Sequence, residues 1–154
     1  MQALWQNPSV IAHSEMLLRS HRHFTGRELV HASGDAAEKS RQLFEAKFVV
    51  VSHGTEADPV LNYGNAAALA LWEMSWEQLL QTPSRLTAEA PLREERARLL
   101  EAVTTRGFID DYSGIRISRT GRRFRIGRAT VWNLITPGGA PAGQAATFAD
   151  WTFL

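Results

Sequence analysis

The stretch VLNYGNAAALALWEMSWEQLL, residues 60–80, decides the fold of this chain. It opens with a short extended segment and turns at Asn65. Residues 66–74 are rich in alanine and predict a helix. Four large apolar side chains follow at helical spacing along one side: Leu69, Trp72, Trp76 and Leu79. Ser75 and Gln78 have the spacing of a capping box, which predicts that a second helix begins there.

Helix and strand patterns on both sides of residues 60–80 predict an α+β fold. Residues 8–25 and 36–46 predict two N-terminal helices, and residues 92–105 predict a longer helix after the central stretch. Five segments have the composition of strands: residues 47–52, 60–63, 108–118, 124–135 and 144–153. The order is two helices and then β-β-α-α-α-β-β-β. This order predicts a five-stranded antiparallel sheet with helices on one face.

Length and composition predict one domain with an N-terminal extension. The chain has 154 residues, of which 44% are hydrophobic, and this is enough to bury one core. We expect residues 1–46 to form a helical extension, as a cap or a dimerisation arm, and residues 47–154 to form the main domain. The first residues lack a signal-peptide pattern, and no apolar run approaches the roughly 20 residues that span a bilayer. A soluble cytoplasmic protein with no membrane contact is therefore expected.

Charged residues are unevenly distributed, although the net charge is only +1. Residues 106–128 contain seven arginines against two acids, Asp110 and Asp111. Such a block could meet an acidic partner, but no groove-reading helix and no interleaved aromatic pattern accompanies it. A solvated sheet face, or pairing with carboxylates elsewhere in the fold, is the preferred interpretation. Nucleic-acid binding is not expected.

Thiol and metal chemistry are not expected either. The chain has no cysteine, which excludes disulfides, thiol catalysis and thiolate metal sites. Four of the five histidines lie in the N-terminal extension and include the pair His21 and His23. Residues two positions apart on a helix face different sides, so this pair could not easily share an ion.

Three long segments resemble a known family. They are FVVVSHGTEADPVLNYGNAAALALWEMSWEQLLQTPSRLTAE (48–89), GFIDDYSGIRISRTGRRFRI (107–126) and VWNLITPGGAPAGQAATF (131–148). They are similar to bacterial members of the MEKHLA-domain family, which is related to the PAS sensor domains. The strand, turn and helix order of residues 60–80 also resembles that of PAS domains. The resemblance implies a PAS-like ligand-sensing or dimerisation domain that stands alone, and it supplies no catalytic residues.

The resemblance to PAS domains also bears on cofactors. Light-sensing members of the flavin type form a photo-adduct with a cysteine, and this chain has none. Haem-binding members commonly use a histidine on the long helix before the third strand, but residues 92–105 contain no histidine. His53 or a residue remote from that helix would be the remaining candidate for an axial ligand. A non-covalent flavin and a small organic acid stay open as ligands.

Eight residues are candidates for a pocket between the sheet and the helices: His53, Asn65, Trp72, Trp76, Arg85, Tyr112, Arg116 and Trp132. Arg85 and Arg116, if both point inward, would orient a carboxylate or phosphate by paired hydrogen bonds. Structural alternatives exist for several of these residues. Each tryptophan could be plain core, His53 could be a hydrogen-bonded strand end, and Asn65 could serve the turn and cap the following helix.

Three functional hypotheses follow from these patterns. The first is a sensory or regulatory domain that binds a small molecule and signals through a dimer or partner contact. The second is a structural dimerisation module with a filled core, in which residues 8–46 pair two copies. The third is a small enzyme that uses His53 as acid or base together with a carboxylate such as Asp58 or Glu73. The first hypothesis is preferred. The third, enzymatic activity, is less favoured.

Overall fold

The computed structural model describes residues 2–89 and 92–154. The five α-helices are α1 (Pro8–Thr25), α2 (Ala36–Phe44), α3 (Ala66–Trp72), α4 (Trp76–Leu79) and α5 (Arg93–Arg106). The six strands are β1 (Val49–His53), β2 (Leu61–Gly64), β3 (Phe108–Ile117), β4 (Arg123–Ile135), β5 (Pro141–Phe148) and β6 (Asp150–Phe153). Two short 3-10 helices span Leu4–Gln6 and Ser84–Thr87.

All strands belong to one antiparallel sheet in the order β2-β1-β5-β4-β3, and β6 also pairs with β4. The predicted antiparallel sheet is therefore confirmed, with one additional strand. β5 and β6 pair with β4 in the same register, as shown by Thr130 opposite Thr147 and Gly127 opposite Asp150. The final strand predicted over residues 144–153 is thus interrupted at Ala149 rather than continuous.

A kink in β3 and β4 changes which side chains face the helices. Asp111 and Arg128 have positive φ angles of 58° and 51°, and the β3–β4 register shifts nearby. Such bulges reverse the alternation of side chains along a strand. Ile126 and Val131 lie five positions apart in β4, yet both line the same cavity. The bulge therefore widens the surface that the sheet offers to one side.

Helices cover both faces of the sheet. On one face, α1 and α2 pack on a cluster that contains Val10, Leu17, Leu43, Val50, Tyr63, Trp132 and Leu134. On the other face, a cluster beneath α3 contains Val49, Ala68, Leu71, Trp72, Phe124, Ile126 and Phe148, and α5 contributes Leu99 and Val103. The helices that the sequence predicted on one face of the sheet are α3 and α5. The two N-terminal helices, α1 and α2, cover the opposite face. The domain division at residue 46 stays a prediction.

Asn65 connects the central stretch to the rest of the fold. Its Oδ1 accepts hydrogen bonds from the backbone N–H groups of Ala68 (3.1 Å) and Val50 (3.1 Å). Its Nδ2 donates to the carbonyl oxygens of Phe48 (2.8 Å) and Leu43 (3.2 Å). The side chain is fully buried. Asn65 therefore caps α3 and, at the same time, joins it to the end of α2 and to β1.

The two tryptophans of the central stretch do not share one side, which corrects the expectation from their spacing. Glu73 adopts a left-handed conformation with φ 58° and ends α3, and a new helix begins after Ser75 with the predicted capping box. This turn breaks the helical phase. Trp72 packs in the cluster beneath α3, whereas Trp76 contacts the ring of Tyr63 edge-to-face at 5.9 Å.

None of the helices within the described ranges combines the length and the apolarity that a bilayer-spanning segment requires.

Candidate small-molecule site

A cavity lies between the sheet and α5. Its apolar wall is formed by Val51, Leu99, Ile126, Val131, Ala146 and Phe148. Its polar lining includes His53, Ser84, Arg96, Tyr112, Arg116 and Gln144. The free volume is about 60 Å³. One water molecule needs roughly 10–15 Å³ of such space, so the cavity has room for about four to six non-hydrogen atoms.

A hydrogen-bonded chain runs along one side of this cavity. The guanidinium of Arg96 donates to Oγ of Ser84, and Ser84 Oγ lies 2.8 Å from Nδ1 of His53. A guanidinium can only donate, so the hydroxyl hydrogen of Ser84 is available for Nδ1 of His53. This network assigns the neutral tautomer of His53 with its proton on Nε2.

Burial controls the protonation of His53. The residue is 6% exposed, and desolvation lowers the pKa of its imidazole to about 4. The positive charge of Arg96 acts in the same direction, while the Gln144 side chain and Glu56 act weakly against it. His53 is therefore neutral at pH 7, and its Nδ1 is free to accept the hydrogen bond from Ser84.

The position of His53 depends on a glycine in the neighbouring strand. Gly143 has φ +117°, and a Cβ at this position would lie 2.0 Å from the carbonyl oxygen of His53. Only glycine allows the two backbones to approach this closely. His53 and Gln144 face each other across this contact in the β1–β5 register.

Two arginines line the cavity without a carboxylate partner. Arg116 is 8% exposed, and it donates to the hydroxyl of Tyr112 (3.3 Å) and to the carbonyl oxygen of Ile115 (2.8 Å). Burial, followed by the charge of Arg116, lowers the pKa of Arg96 to about 10, and Tyr112 acts weakly in the opposite direction. Arg96 therefore stays charged at pH 7. Across the described residues, neither arginine has a carboxylate oxygen within 4.0 Å.

The indole of Trp72 adds a further donor to this region. Trp72 lines the cavity, and its Nε1 is buried with no hydrogen-bond partner in the described part of the chain. Buried donors are normally paired, and an unpaired one costs roughly 1–3 kcal/mol. Trp72, Arg96 and Arg116 therefore place three side chains with donor groups in the lining of the cavity, beside its apolar wall.

The structure brings four of the eight candidate residues together: His53, Trp72, Tyr112 and Arg116 line the cavity. The other four lie elsewhere. Asn65 is committed to backbone hydrogen bonds, and Trp76 packs against Tyr63. Trp132 lies on the opposite face, where its ring meets His21 of α1 at 4.8 Å.

Arg85 points outward, contrary to its selection with Arg116 as a candidate for the pocket. Its side chain is 48% exposed and forms an ion pair with Asp58 at 3.2 Å. Arg96 of α5 takes the inward place that we expected for Arg85. The sequence contains a signal for this position, because Arg96 precedes Leu99 by three residues and Val103 by seven, and these spacings share one helical face.

The carboxylates considered for acid–base work with His53 are engaged elsewhere. Asp58 pairs with Arg85, and Glu73 accepts hydrogen bonds from the hydroxyls of Ser118 (2.7 Å) and Thr120 (2.8 Å). In the ranges 2–89 and 92–154, no group of three or more histidine and acidic side chains is placed to hold a metal ion.

Flavin and haem are both larger than the free space of this cavity. A volume of about 60 Å³ is far below the space that a tricyclic isoalloxazine or a porphyrin requires. The side chains of this cavity are suited to a much smaller molecule.

Comparisons with solved structures define the class of fold. The structure is similar to a PAS domain from Colwellia psychrerythraea, with a TM-score of 0.62 and 12% identity over 75% of this chain and 93% of that one. It is also similar to an RNA-binding light-oxygen-voltage receptor, with a TM-score of 0.59 and 15% identity over 72% and 31% of the two chains. A light-oxygen-voltage domain studied with a flavin analogue gives a TM-score of 0.58 and 13% identity over 75% and 83%. The fold is therefore PAS-like.

The sequence assigns the chain to a family within this class. The model of the MEKHLA domain matches residues 11–153, which is nearly the whole chain and includes most of α1 and all of α2. The protein belongs to the MEKHLA-domain family. No curated protein matches the chain.

Proposed function

We propose that this MEKHLA-domain protein is a sensory or regulatory domain that binds a small molecule in the cavity between the sheet and α5. One observation carries the proposal: polar and charged side chains from β1, β3 and α5 converge on a cavity in an otherwise apolar face of a PAS-like fold. Cavities of this kind, with a few convergent polar groups in an apolar wall, are the usual form of small-molecule sites.

The alternative of a purely structural module explains the polar lining less well. Burial of a charged guanidinium away from water costs several kcal/mol unless it is paired. Arg116 is buried, and its partners are the neutral oxygens of Tyr112 and Ile115. A domain that only pairs with other chains would be more stable with apolar residues at such positions. The retained charges are therefore better explained by recognition.

Strand β4 provides a route from the cavity to the opposite face. Val131 lines the cavity, and the next residue, Trp132, packs against His21 of α1. Adjacent residues of a strand point to opposite faces of the sheet. A small movement of β4 therefore shifts the side chains on both faces. We propose that occupancy of the cavity is transmitted in this way to a dimer or partner contact of the N-terminal helices. Homodimerisation through residues 8–46 stays a prediction.

We expect a molecule that fills the cavity to raise the thermal midpoint of unfolding of the full chain. A ligand that binds only the folded state at a concentration of 100 Kd stabilises it by about 2.7 kcal/mol. The measurement is differential scanning fluorimetry against a panel of small metabolites, followed by native mass spectrometry of each positive mixture.

A filled cavity is the matched control for this experiment. Ala146 lines the cavity, and Ala146→Leu would occupy its space, with Ala146→Val as a milder replacement. We expect both variants to retain the circular dichroism spectrum and to lose the ligand response in proportion to the added volume. An unchanged midpoint across the whole panel, or an equal response in Ala146→Leu, would remove the proposed site.

A further inference from the structure

We infer that the cavity binds a short-chain monocarboxylic acid, with its carboxylate between the guanidinium groups of Arg96 and Arg116 and its tail against the apolar wall. The inference deepens the proposed function and rests on it, because it names the chemical class of the ligand for the same cavity.

The first support is an imbalance of charge. Arg96 and Arg116 are near enough that the charge of one affects the ionisation of the other, and among the described residues no carboxylate lies within 4.0 Å of either. Like charges that are partly removed from water repel each other strongly. An anion placed between the two guanidinium groups attracts each of them, and these two attractions offset the repulsion. A neutral or cationic ligand would leave the repulsion in place.

The second support is the direction of the hydrogen bonds. Guanidinium groups only donate hydrogen bonds, and two of them, those of Arg96 and Arg116, line this cavity. Such a set needs a ligand rich in acceptor atoms. A carboxylate has two oxygens with several lone pairs, and its planar shape matches the fork of an arginine side chain.

The third support is the size and character of the rest of the cavity. Leu99, Val131 and Phe148 form a wall with no hydrogen-bonding side chain, so part of the ligand must be apolar. The free volume of about 60 Å³ is filled by about four to six non-hydrogen atoms. A carboxylate with a tail of one to three such atoms meets both conditions, whereas inorganic phosphate has no apolar part.

The experiment compares three probes on the full-length protein by isothermal titration calorimetry at pH 7. Sodium propionate is the carboxylate probe, propionamide is its neutral counterpart of similar shape, and sodium phosphate is the anion without a tail. Sodium chloride holds the ionic strength constant. We expect propionate to bind at least about tenfold more tightly than either of the others, because charge-assisted hydrogen bonds are stronger than neutral ones.

Arginine variants test which side chains carry the affinity. Arg96→Gln and Arg116→Gln should each weaken propionate binding by about tenfold or more. The matched control is Arg85→Gln, since Arg85 is exposed and paired with Asp58, and its affinity should equal that of the unaltered chain. If either inward variant fails to fold by circular dichroism, Arg96→Lys or Arg116→Lys replaces it. Lysine keeps the positive charge but lacks the paired N–H donors of arginine. Each lysine variant should therefore bind propionate less tightly than the unaltered chain and more tightly than the glutamine variant.

The outcomes separate this inference from the proposed function. Equal binding of propionamide and propionate, or of phosphate and propionate, overturns the assignment to monocarboxylic acids. Equal loss of affinity in Arg85→Gln and Arg96→Gln also overturns it, because the interaction would then be a surface effect. If no carboxylate binds while another molecule from the metabolite panel does, the inference fails and the proposed function stands. If nothing binds at all, both fail.

Discussion

Asn65→Ala is expected to lower the free energy of unfolding by roughly 4 kcal/mol, the sum of a lost helix cap and several buried groups left unpaired. The amide of Asn65 bonds to four backbone groups, belonging to Leu43, Phe48, Val50 and Ala68. Alanine can replace none of these bonds, and the site is fully buried, so water does not readily take the place of the amide. The measurement is urea denaturation followed by circular dichroism.

Asn7→Ala provides a matched control for this substitution. Oδ1 of Asn7 caps α1 by accepting exposed hydrogen bonds from the backbone N–H (2.9 Å) and the hydroxyl (2.8 Å) of Ser9. Its removal should cost about 1 kcal/mol, the usual value for a cap. The difference between the two variants therefore measures what Asn65 contributes beyond capping. Equal losses of unfolding free energy in the two variants would mean that the hydrogen bonds of Asn65 to α2 and β1 add no stability beyond the cap of α3.

Lowering the pH from 7 to 5 is expected to reduce the free energy of unfolding by roughly 3 kcal/mol, mainly through His13 and His53, and the lowered pKa of His21 acts in the same direction. Burial lowers the pKa of both His13 and His53 to about 4, from an ordinary value of 6.5. In this interval the unfolded chain binds protons that the folded chain does not. Stability is therefore complete above pH 6.5, falls as the pH drops toward 4, and changes little from these two groups below that.

The neutral form of each histidine has a specific place in the fold. Nε2 of His13 lies 2.9 Å from Oγ of Ser52, and its ring stacks on Tyr63 at 5.5 Å. His53 is bonded to Ser84 through Nδ1. Urea denaturation at several pH values checks the prediction. His13→Gln and His53→Gln should each remove a large part of the slope, and His31→Gln, at an exposed position, should leave it unchanged. A flat profile between pH 7 and 5 would contradict the assigned cause.

The pattern of residues 60–80 was sufficient to predict the architecture because its signals are local. The capping box at Ser75 and the turn at Asn65 both occur as expected. The side-chain directions of Trp72 and Trp76 could not be predicted, since they depend on Glu73, a non-glycine residue in a left-handed conformation. No propensity indicates such a residue, because its conformation is set by the surrounding packing.

The site was predictable only in part for a similar reason. Tyr112 and Arg116 were selected because they lie on a strand of the predicted sheet, and the bulge at Asp111 determines the face on which they appear. Arg96 was missed because charged residues of a helix are usually solvated, although its spacing to Leu99 indicates the buried face. The inward arginine could be identified only from the three-dimensional packing of α5 on the sheet.

The most direct test of the central claim is the response of two indole N–H signals to propionate in a ¹H–¹⁵N NMR spectrum of the full-length protein. Trp72 and Trp132 both have a buried Nε1 with no described partner, but they lie on opposite faces of the sheet. Trp72→Phe and Trp132→Phe assign the two signals. A cavity beneath α5 that binds a carboxylate predicts a saturable shift of the Trp72 signal while that of Trp132 stays in place. A spectrum in which neither signal moves, or in which only Trp132 responds, would contradict it.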